Sequence, residues 1–99
     1  MERGGTVYII TNKHHTVLYI GVTSNLKSRI SQHREGCFPD SFSARYNLDK
    51  LVFYENFSTI TEAIVVEKKL KGRSRIYKEK LITKLNPGWK DLWEEVSKW

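Results

Sequence analysis

The fold is decided by the first 22 residues, where two stretches favour extended backbone: Thr-Val-Tyr-Ile-Ile-Thr (residues 6–11) and Thr-Val-Leu-Tyr-Ile-Gly-Val (residues 16–22). Both are rich in β-branched and aromatic side chains, which pack well on a pleated sheet. The polar residues 12–15, Asn-Lys-His-His, separate them and are typical of a turn. The pair therefore predicts a β-hairpin.

Capping residues and helix stops divide the rest of the chain. The predicted elements are a helix from the capping choices at 23–25 to about residue 35, closed by Gly36; a strand at 51–54; a helix capped by Ser58 or Thr59 and broken at Gly72; a helix capped by Ser74 and ending near Leu85; and a short amphipathic segment at 92–96. So few strands must cover a face with helices. The order β-β-α-β-α-α predicts an α/β fold: a small three-stranded antiparallel sheet flanked by helices.

Composition excludes several classes of protein. A chain of 99 residues with 12% aromatic residues favours one folded domain over disorder. A lone cysteine, Cys37, excludes an intramolecular disulfide, and the adjacent His14 and His15 have no second ligand cluster nearby, so no zinc site is predicted. No apolar run is long enough to span a membrane and no signal sequence is evident, so we expect a cytoplasmic protein.

Positive charge is concentrated in one part of the chain. Residues 68–90 contain nine basic side chains and one acidic one, a net charge of +8, whereas the whole chain carries +6 and the remainder therefore −2. A basic zone on a mildly acidic domain favours a polyanionic partner, of which nucleic acid is the usual one. A solvated, lysine-rich helix face is the alternative, and charge alone does not separate the two.

A carboxylate interrupts the apolar side of the second predicted helix. Glu67 falls inside the arc formed by Ile60, Ala63, Ile64, Val66 and Leu70. A carboxylate that faces a core is costly unless a cation pairs with it. The sequence leaves two interpretations open, a buried ion pair with Lys or Arg and a ligand held ready for a metal ion.

Two further polar side chains lie along the apolar side of the first predicted helix, where Leu26, Ile30 and Cys37 define that side. Arg29 and His33 are one helical turn apart beside it. Snorkelling or capping would explain them, but a guanidinium also grips phosphate and an imidazole titrates near neutral pH.

The ordered set of residues resembles a known nuclease family. Tyr19-Ile20-Gly21 follows Tyr8 by eleven residues and is itself followed by Arg29 and His33, an arrangement similar to the GIY-YIG nuclease domain. Glu67 and Asn86 continue the likeness, which runs from about residue 6 to 86 and leaves 87–99 as a C-terminal helical extension of one domain, 1–99. The first half of the motif departs from the family, because Thr6-Val7-Tyr8 stands where Gly-Ile-Tyr is usual.

The resemblance implies roles for six residues: Tyr8, Tyr19, Arg29, His33, Glu67 and Asn86. Glu67 would hold one divalent ion, Mg²⁺ or Mn²⁺, and Arg29 would clamp the phosphoryl oxygens. Tyr8 would activate the attacking water with the help of nearby cations, because a free phenol has a pKa of about 10. His33 would relay the proton and Tyr19 would position water or phosphate. Asn86 would contact the site or orient the last helix, although a helix stop before Pro87 explains it equally well; Tyr46 is a further candidate.

The resemblance therefore implies a metal-dependent endonuclease that cuts DNA with low sequence specificity, in repair or processing, as a monomer or weak dimer. Its nucleic-acid contacts would come from the basic zone: Lys68, Lys69, Lys71, Arg73, Arg75 and Lys78. The alternatives are a nucleic-acid-binding domain without turnover, with Trp89 or Trp93 stacking on bases, and a protein-interaction adaptor that uses the tryptophan-rich tail. Packing in the core is the simpler explanation for Trp93.

Overall fold

A computed structural model describes residues 4–35 and 46–99. Three strands, β1 (Gly5–Thr11), β2 (Leu18–Thr23) and β3 (Lys50–Phe57), form an antiparallel sheet in the order β2-β1-β3. The helices are α1 (Leu26–Glu35), α2 (Ile60–Lys71), α3 (Arg75–Leu85) and the single turn α4 (Trp93–Val96). The predicted α/β class, with its helix-flanked three-stranded sheet, is confirmed. Gly36 and Cys37 lie outside the described residues.

Side-chain caps fix where the helices begin. The Thr59 hydroxyl accepts a hydrogen bond from the backbone N–H of Glu62 at 3.2 Å, and the Ser74 hydroxyl does the same for Tyr77 at 3.2 Å. Asn25 caps α1 through the N–H of Ser28. These bonds satisfy N–H groups that have no partner inside a helix.

Alternation along β1 divides the core between the two faces of the sheet. Val7 and Ile9 face a cluster that includes Ala63 and Leu70 of α2 and Ile82 of α3. Tyr8 and Ile10 face the opposite way, towards Leu26 and Ile30 of α1 and Val96 of α4. One face of β1 therefore contributes Val7 and Ile9 to its core cluster, whereas the other contributes a buried phenol.

Two local predictions are corrected by the structure. The second strand begins at Leu18 rather than at residue 16, because the Asn12 carboxamide accepts hydrogen bonds from the N–H groups of Thr16 and Val17 and holds both in the hairpin loop. Ile64, expected on the buried side of α2, is 37% exposed, since Ala63 and Leu70 define the line of α2 that contacts the sheet.

The C-terminal residues pack back onto the sheet and α1. The N–H of Leu92 donates to the carbonyl of Leu51 at 2.7 Å, and Val96 is completely buried. Arg34 of α1 pairs with Asp91 at 2.8 Å. None of the helices in the described part of the chain is long and apolar enough to cross a membrane.

Candidate active site

Tyr8 lies at the centre of the site, on β1. Its side chain is only 2% exposed, and it sits directly opposite Gly21 of β2 in the antiparallel register. A β-carbon at position 21 would overlap the Tyr8 ring and hydroxyl. The missing side chain of Gly21 therefore lets the phenol lie across β2, which is an edge strand of the sheet.

Tyr19 brings a second phenol to the same face. It pairs with Ile10 and lies two residues before Gly21 on β2, so that its side chain projects on the same side of the sheet as Tyr8. Tyr19 is half-buried, and its ring centroid is 6.1 Å from that of His33. The two tyrosines of the motif therefore converge on one imidazole.

Helix α1 supplies that imidazole and a guanidinium. Leu26 and Ile30 bury the helix against the sheet, and Arg29 and His33 follow on a neighbouring strip one turn apart, both half-buried. The Tyr8 hydroxyl lies 3.2 Å from His33 Nε2, within hydrogen-bond distance. This contact joins β1 to α1 at the centre of the site.

Glu67 approaches from α2. Its side chain is 13% exposed and lies on the helix between the buried residues Ala63 and Leu70. Its carboxylate forms an ion pair with Lys71 Nζ at 3.1 Å. The expected ion pair is present, but it is only partly buried, because the Lys71 side chain is 52% exposed. The carboxylate is also close enough to Tyr8 for its charge to raise the pKa of the phenol, so the ion pair and the proximity to the site coexist.

Tyr8 is in the wrong protonation state to act as a simple base, whereas His33 is in the right one. Burial is the largest cause that raises the pKa of Tyr8 far above its ordinary value, followed by the neighbouring phenol of Tyr19; Arg29 acts in the lowering direction and is outweighed. Nearby cations therefore do not make this phenol a base in the free protein. Burial, followed by the charge of Arg29, lowers the pKa of His33, which is consequently neutral at pH 7.

Asn86 lies apart from this cluster. Its amide nitrogen donates to the carbonyls of Val52 (3.1 Å) and Lys90 (2.9 Å), and its amide oxygen accepts from the Lys90 N–H at 3.0 Å. These bonds fasten the end of α3 to β3 and to the turn that follows. The side chain thus has the structural role that the sequence left open. Tyr46 is 43% exposed, and its role stays a prediction.

The six predicted nucleic-acid contacts differ in their surroundings. Five of them are exposed and Lys78 is half-buried; the exposed ones are Lys68, Lys69, Lys71, Arg73 and Arg75. Arg75 donates to the carbonyls of His15 and Thr16 and pairs with Glu79 at 2.9 Å, so it ties α3 to the hairpin loop. Sequence reasoning missed this anchor, which depends on a contact between residues 60 positions apart.

The tryptophans proposed for base stacking are already engaged within the chain. The Trp89 ring packs on His15 with centroids 4.7 Å apart, and its indole N–H donates to Thr83 at 3.0 Å. Trp93 packs against the cluster around Tyr8, with the Arg34 guanidinium 5.5 Å from its ring centroid.

A single divalent ion fits the donor set. Among residues 4–35 and 46–99 there is no group of three potential metal ligands, so the protein would offer one carboxylate, Glu67. Mg²⁺ is commonly bound by one or two carboxylates, with water and substrate phosphate completing its shell. Lys71 holds that same carboxylate in the free protein.

A small antiparallel sheet with two phenols, an imidazole, a guanidinium and a carboxylate gathered at β2 defines a nuclease-type catalytic domain. The chain belongs to the GIY-YIG family: the model of the GIY-YIG catalytic domain matches residues 4–81. This range contains Tyr8, Tyr19, Arg29, His33 and Glu67 but ends before Asn86.

A solved structure supports the same fold. The chain is similar to the UPF0213 protein BH0048 from Bacillus halodurans, known from solution NMR, with 26% identity and a TM-score of 0.56 over 89% of this chain and 92% of that one. None of the curated proteins is significantly similar to the chain in sequence.

Proposed function

We propose that the chain is a metal-dependent endonuclease that hydrolyses phosphodiester bonds in DNA with low sequence specificity, in DNA repair or processing. The observation that carries the proposal is the contact between the Tyr8 hydroxyl and His33 Nε2 at 3.2 Å, with Arg29 and Glu67 acting electrostatically on the same phenol. Membership of a nuclease-type family supports a nucleic-acid substrate.

Tyr8 and His33 provide a route for the proton of the attacking water. His33 is neutral, and in the tautomer with its proton on Nδ1 it accepts a hydrogen bond from Tyr8 at Nε2. The water gives its proton to the Tyr8 oxygen as the phenolic proton passes to His33, so no free phenolate forms. The raised pKa of Tyr8 is compatible with this route, because the phenol transfers a proton without ionising beforehand.

Arg29 and Tyr19 act on the phosphate. A guanidinium presents paired donors that match phosphoryl oxygens, and its charge opposes the negative charge that redistributes in the transition state. Tyr19 stands on the same face as Tyr8 and orients a phosphate oxygen or the water through its hydroxyl. Glu67 would hold the divalent ion, Mg²⁺ or Mn²⁺, which supplies Lewis-acid polarisation of the scissile phosphate when bound.

The experiment is nicking of supercoiled plasmid DNA by the purified chain in Mg²⁺. We expect Glu67→Gln and Arg29→Ala each to lower the rate by at least about 100-fold, as loss of one stabilising group of this kind does. Glu94→Gln, which removes one carboxylate from the exposed surface of α4, is the matched control and should nick like the wild type. Equal nicking by all four proteins would contradict the proposal.

A nucleic-acid-binding domain without turnover is the second candidate. Two observations favour it, the ion pair that occupies Glu67 and the burial that keeps Tyr8 protonated. Such a domain would bind DNA with a steep salt dependence, would not cut it in Mg²⁺ or Mn²⁺, and would retain its affinity in Glu67→Gln. Anisotropy titrations of DNA and RNA duplexes alongside the nicking assay separate these outcomes.

A further inference from the structure

Lys71 is placed between the proposed metal ligand and the solvent. It is the last residue of α2, and its Nζ lies 3.1 Å from Oε2 of Glu67, one helical turn earlier. The Glu67 side chain is 13% exposed, whereas that of Lys71 is 52% exposed. The carboxylate is therefore fixed inside the site while the ammonium group can turn towards solvent.

The same lysine borders an open groove at the edge of the sheet. Leu18, Tyr19 and Ile20 of β2 form one wall of this β2 groove, and Lys71 and Lys78 form the other, around a volume of about 360 Å³. Tyr19, a residue of the candidate active site, lines the groove together with two lysine side chains. Its size and charge suit a phosphate of a nucleic-acid strand that passes the site.

Lys71 cannot serve both partners at once. An ammonium group on a carboxylate oxygen neutralises the charge that would attract a divalent cation, and it repels that cation directly. An ion pair with an exposed lysine is weak, so exchange of its partner costs little. A phosphate in the β2 groove would give Lys71 a second anion to bind, and Lys78 would add to the attraction.

We propose that Lys71 blocks Glu67 in the free protein and moves to a substrate phosphate in the β2 groove, so that nucleic acid and divalent metal bind with positive coupling. The inference rests on the proposed function, because it takes the metal to Glu67. It adds a device that limits metal binding until a strand is present. Coupling of this kind is reciprocal, so either ligand must increase affinity for the other by the same factor.

The first test measures Mn²⁺ binding to the full chain without DNA, by the electron paramagnetic resonance signal of the free ion. Lys71→Met keeps the aliphatic stem and a good helix former but removes the charge. We expect it to bind Mn²⁺ about five- to tenfold more tightly than the wild type, from the loss of competition and of repulsion. Lys71→Arg should restore weak binding.

Lys69→Met is the matched control. Lys69 lies on the same helix and carries the same charge, but it borders a different groove, with Glu55 and Arg73. We expect Lys69→Met to change Mn²⁺ affinity by less than about twofold, since an exposed charge at greater distance is screened by solvent. A gain in Lys69→Met equal to that in Lys71→Met would reduce the effect to general electrostatics and overturn the proposal.

The second test measures coupling with a nuclease-resistant phosphorothioate duplex carrying a fluorescent label. In the wild type, Mn²⁺ should tighten duplex binding several-fold; in Lys71→Met this gain should fall to about twofold or less, because the lysine no longer links the sites. Glu67→Gln should remove the gain altogether. Mn²⁺ binding and coupling that are unchanged in Lys71→Met would overturn the inference.

These experiments distinguish failure of the coupling from failure of the proposed nuclease function. If the wild type cuts DNA in a Glu67-dependent way and Lys71→Met behaves like the wild type in both binding tests, the inference is wrong and the nuclease remains. If the wild type neither binds Mn²⁺, with or without the duplex, nor cuts DNA, the proposed function is wrong and the inference falls with it.

Discussion

Replacement of Gly21 by alanine tests the packing on which the candidate site depends. The added methyl would overlap the ring and hydroxyl of Tyr8, which is 2% exposed and has no room to withdraw. Overpacking of a full core costs about 1–3 kcal/mol. Glycine in a strand interior is itself unfavourable by about 0.5–1 kcal/mol relative to alanine, which offsets part of that cost. We expect Gly21→Ala to lower the free energy of unfolding by about 1–2 kcal/mol.

Urea denaturation followed by tryptophan fluorescence measures this change, and a double-mutant cycle identifies its cause. Tyr8→Leu removes the ring atoms that the methyl would meet, so the penalty of Gly21→Ala should vanish in the Tyr8→Leu background. The coupling energy should then equal the overpacking cost itself, about 1–3 kcal/mol. Gly72→Ala is the control, since a β-carbon there meets the Lys69 and Lys68 carbonyls at ordinary distances of 3.5 and 3.9 Å.

Three results would refute this reasoning. If Gly21→Ala is as stable as the wild type, Tyr8 does not lie across β2 as described. If the two substitutions are additive, the cost of the methyl arises somewhere other than at the Tyr8 ring. A Gly72→Ala chain that loses as much stability as Gly21→Ala would show that the loss reflects glycine in general.

Three further predictions concern the surroundings of the site. Asn86→Ala should lower the free energy of unfolding by about 2–3 kcal/mol in the same assay, because it leaves the buried Val52 carbonyl and the partly buried backbone groups of Lys90 without their side-chain partner. The folded variant should nick DNA at the wild-type rate. The native pKa of His33 is lowered, so as the pH falls below about 6.5 the unfolded chain binds a proton that the native chain does not. The free energy of unfolding should therefore decrease between about pH 6.5 and the native pKa. His33→Gln should flatten the plot of unfolding free energy against pH in that range. Arg75→Met should speed amide hydrogen exchange in the hairpin loop, since it removes the hydrogen bonds to the carbonyls of His15 and Thr16; unchanged exchange would show that Arg75 does not anchor the loop.

Much of the fold follows from local signals in the sequence. The strands β1 and β2, the turn between them and the caps at Thr59 and Ser74 are each determined by residues within a few positions of one another, and each is found where the pattern predicts it. The start of β2 was the exception, because the Asn12 side chain forms hydrogen bonds across the loop. The strand propensities of the residues do not predict such a contact.

The candidate site was only partly predictable, because its properties depend on contacts between residues that are distant in sequence. The order of the tyrosines, the arginine, the histidine and the glutamate in the sequence identified the candidate site residues. The spacing of Glu67 and Lys71 is that of an ion pair on a helix. The protonation state of Tyr8 was not predictable, since it depends on how β1, β2 and α1 together exclude water from the phenol. The role of Asn86 likewise depends on β3, which is distant in sequence.

Burial of Tyr8 links the stability of the core to the chemistry of the site. A phenol fixed by packing holds its hydroxyl at a defined position, but the same exclusion of water makes the free phenolate costly. A proton that cannot leave by ionisation must pass to a neighbouring base, and His33 Nε2 is within hydrogen-bond distance. The lowered pKa of His33 keeps that acceptor unprotonated at pH 7. In the proposed reaction His33 is therefore required because Tyr8 is buried, and a substitution that admits water to Tyr8 would reduce the dependence on His33.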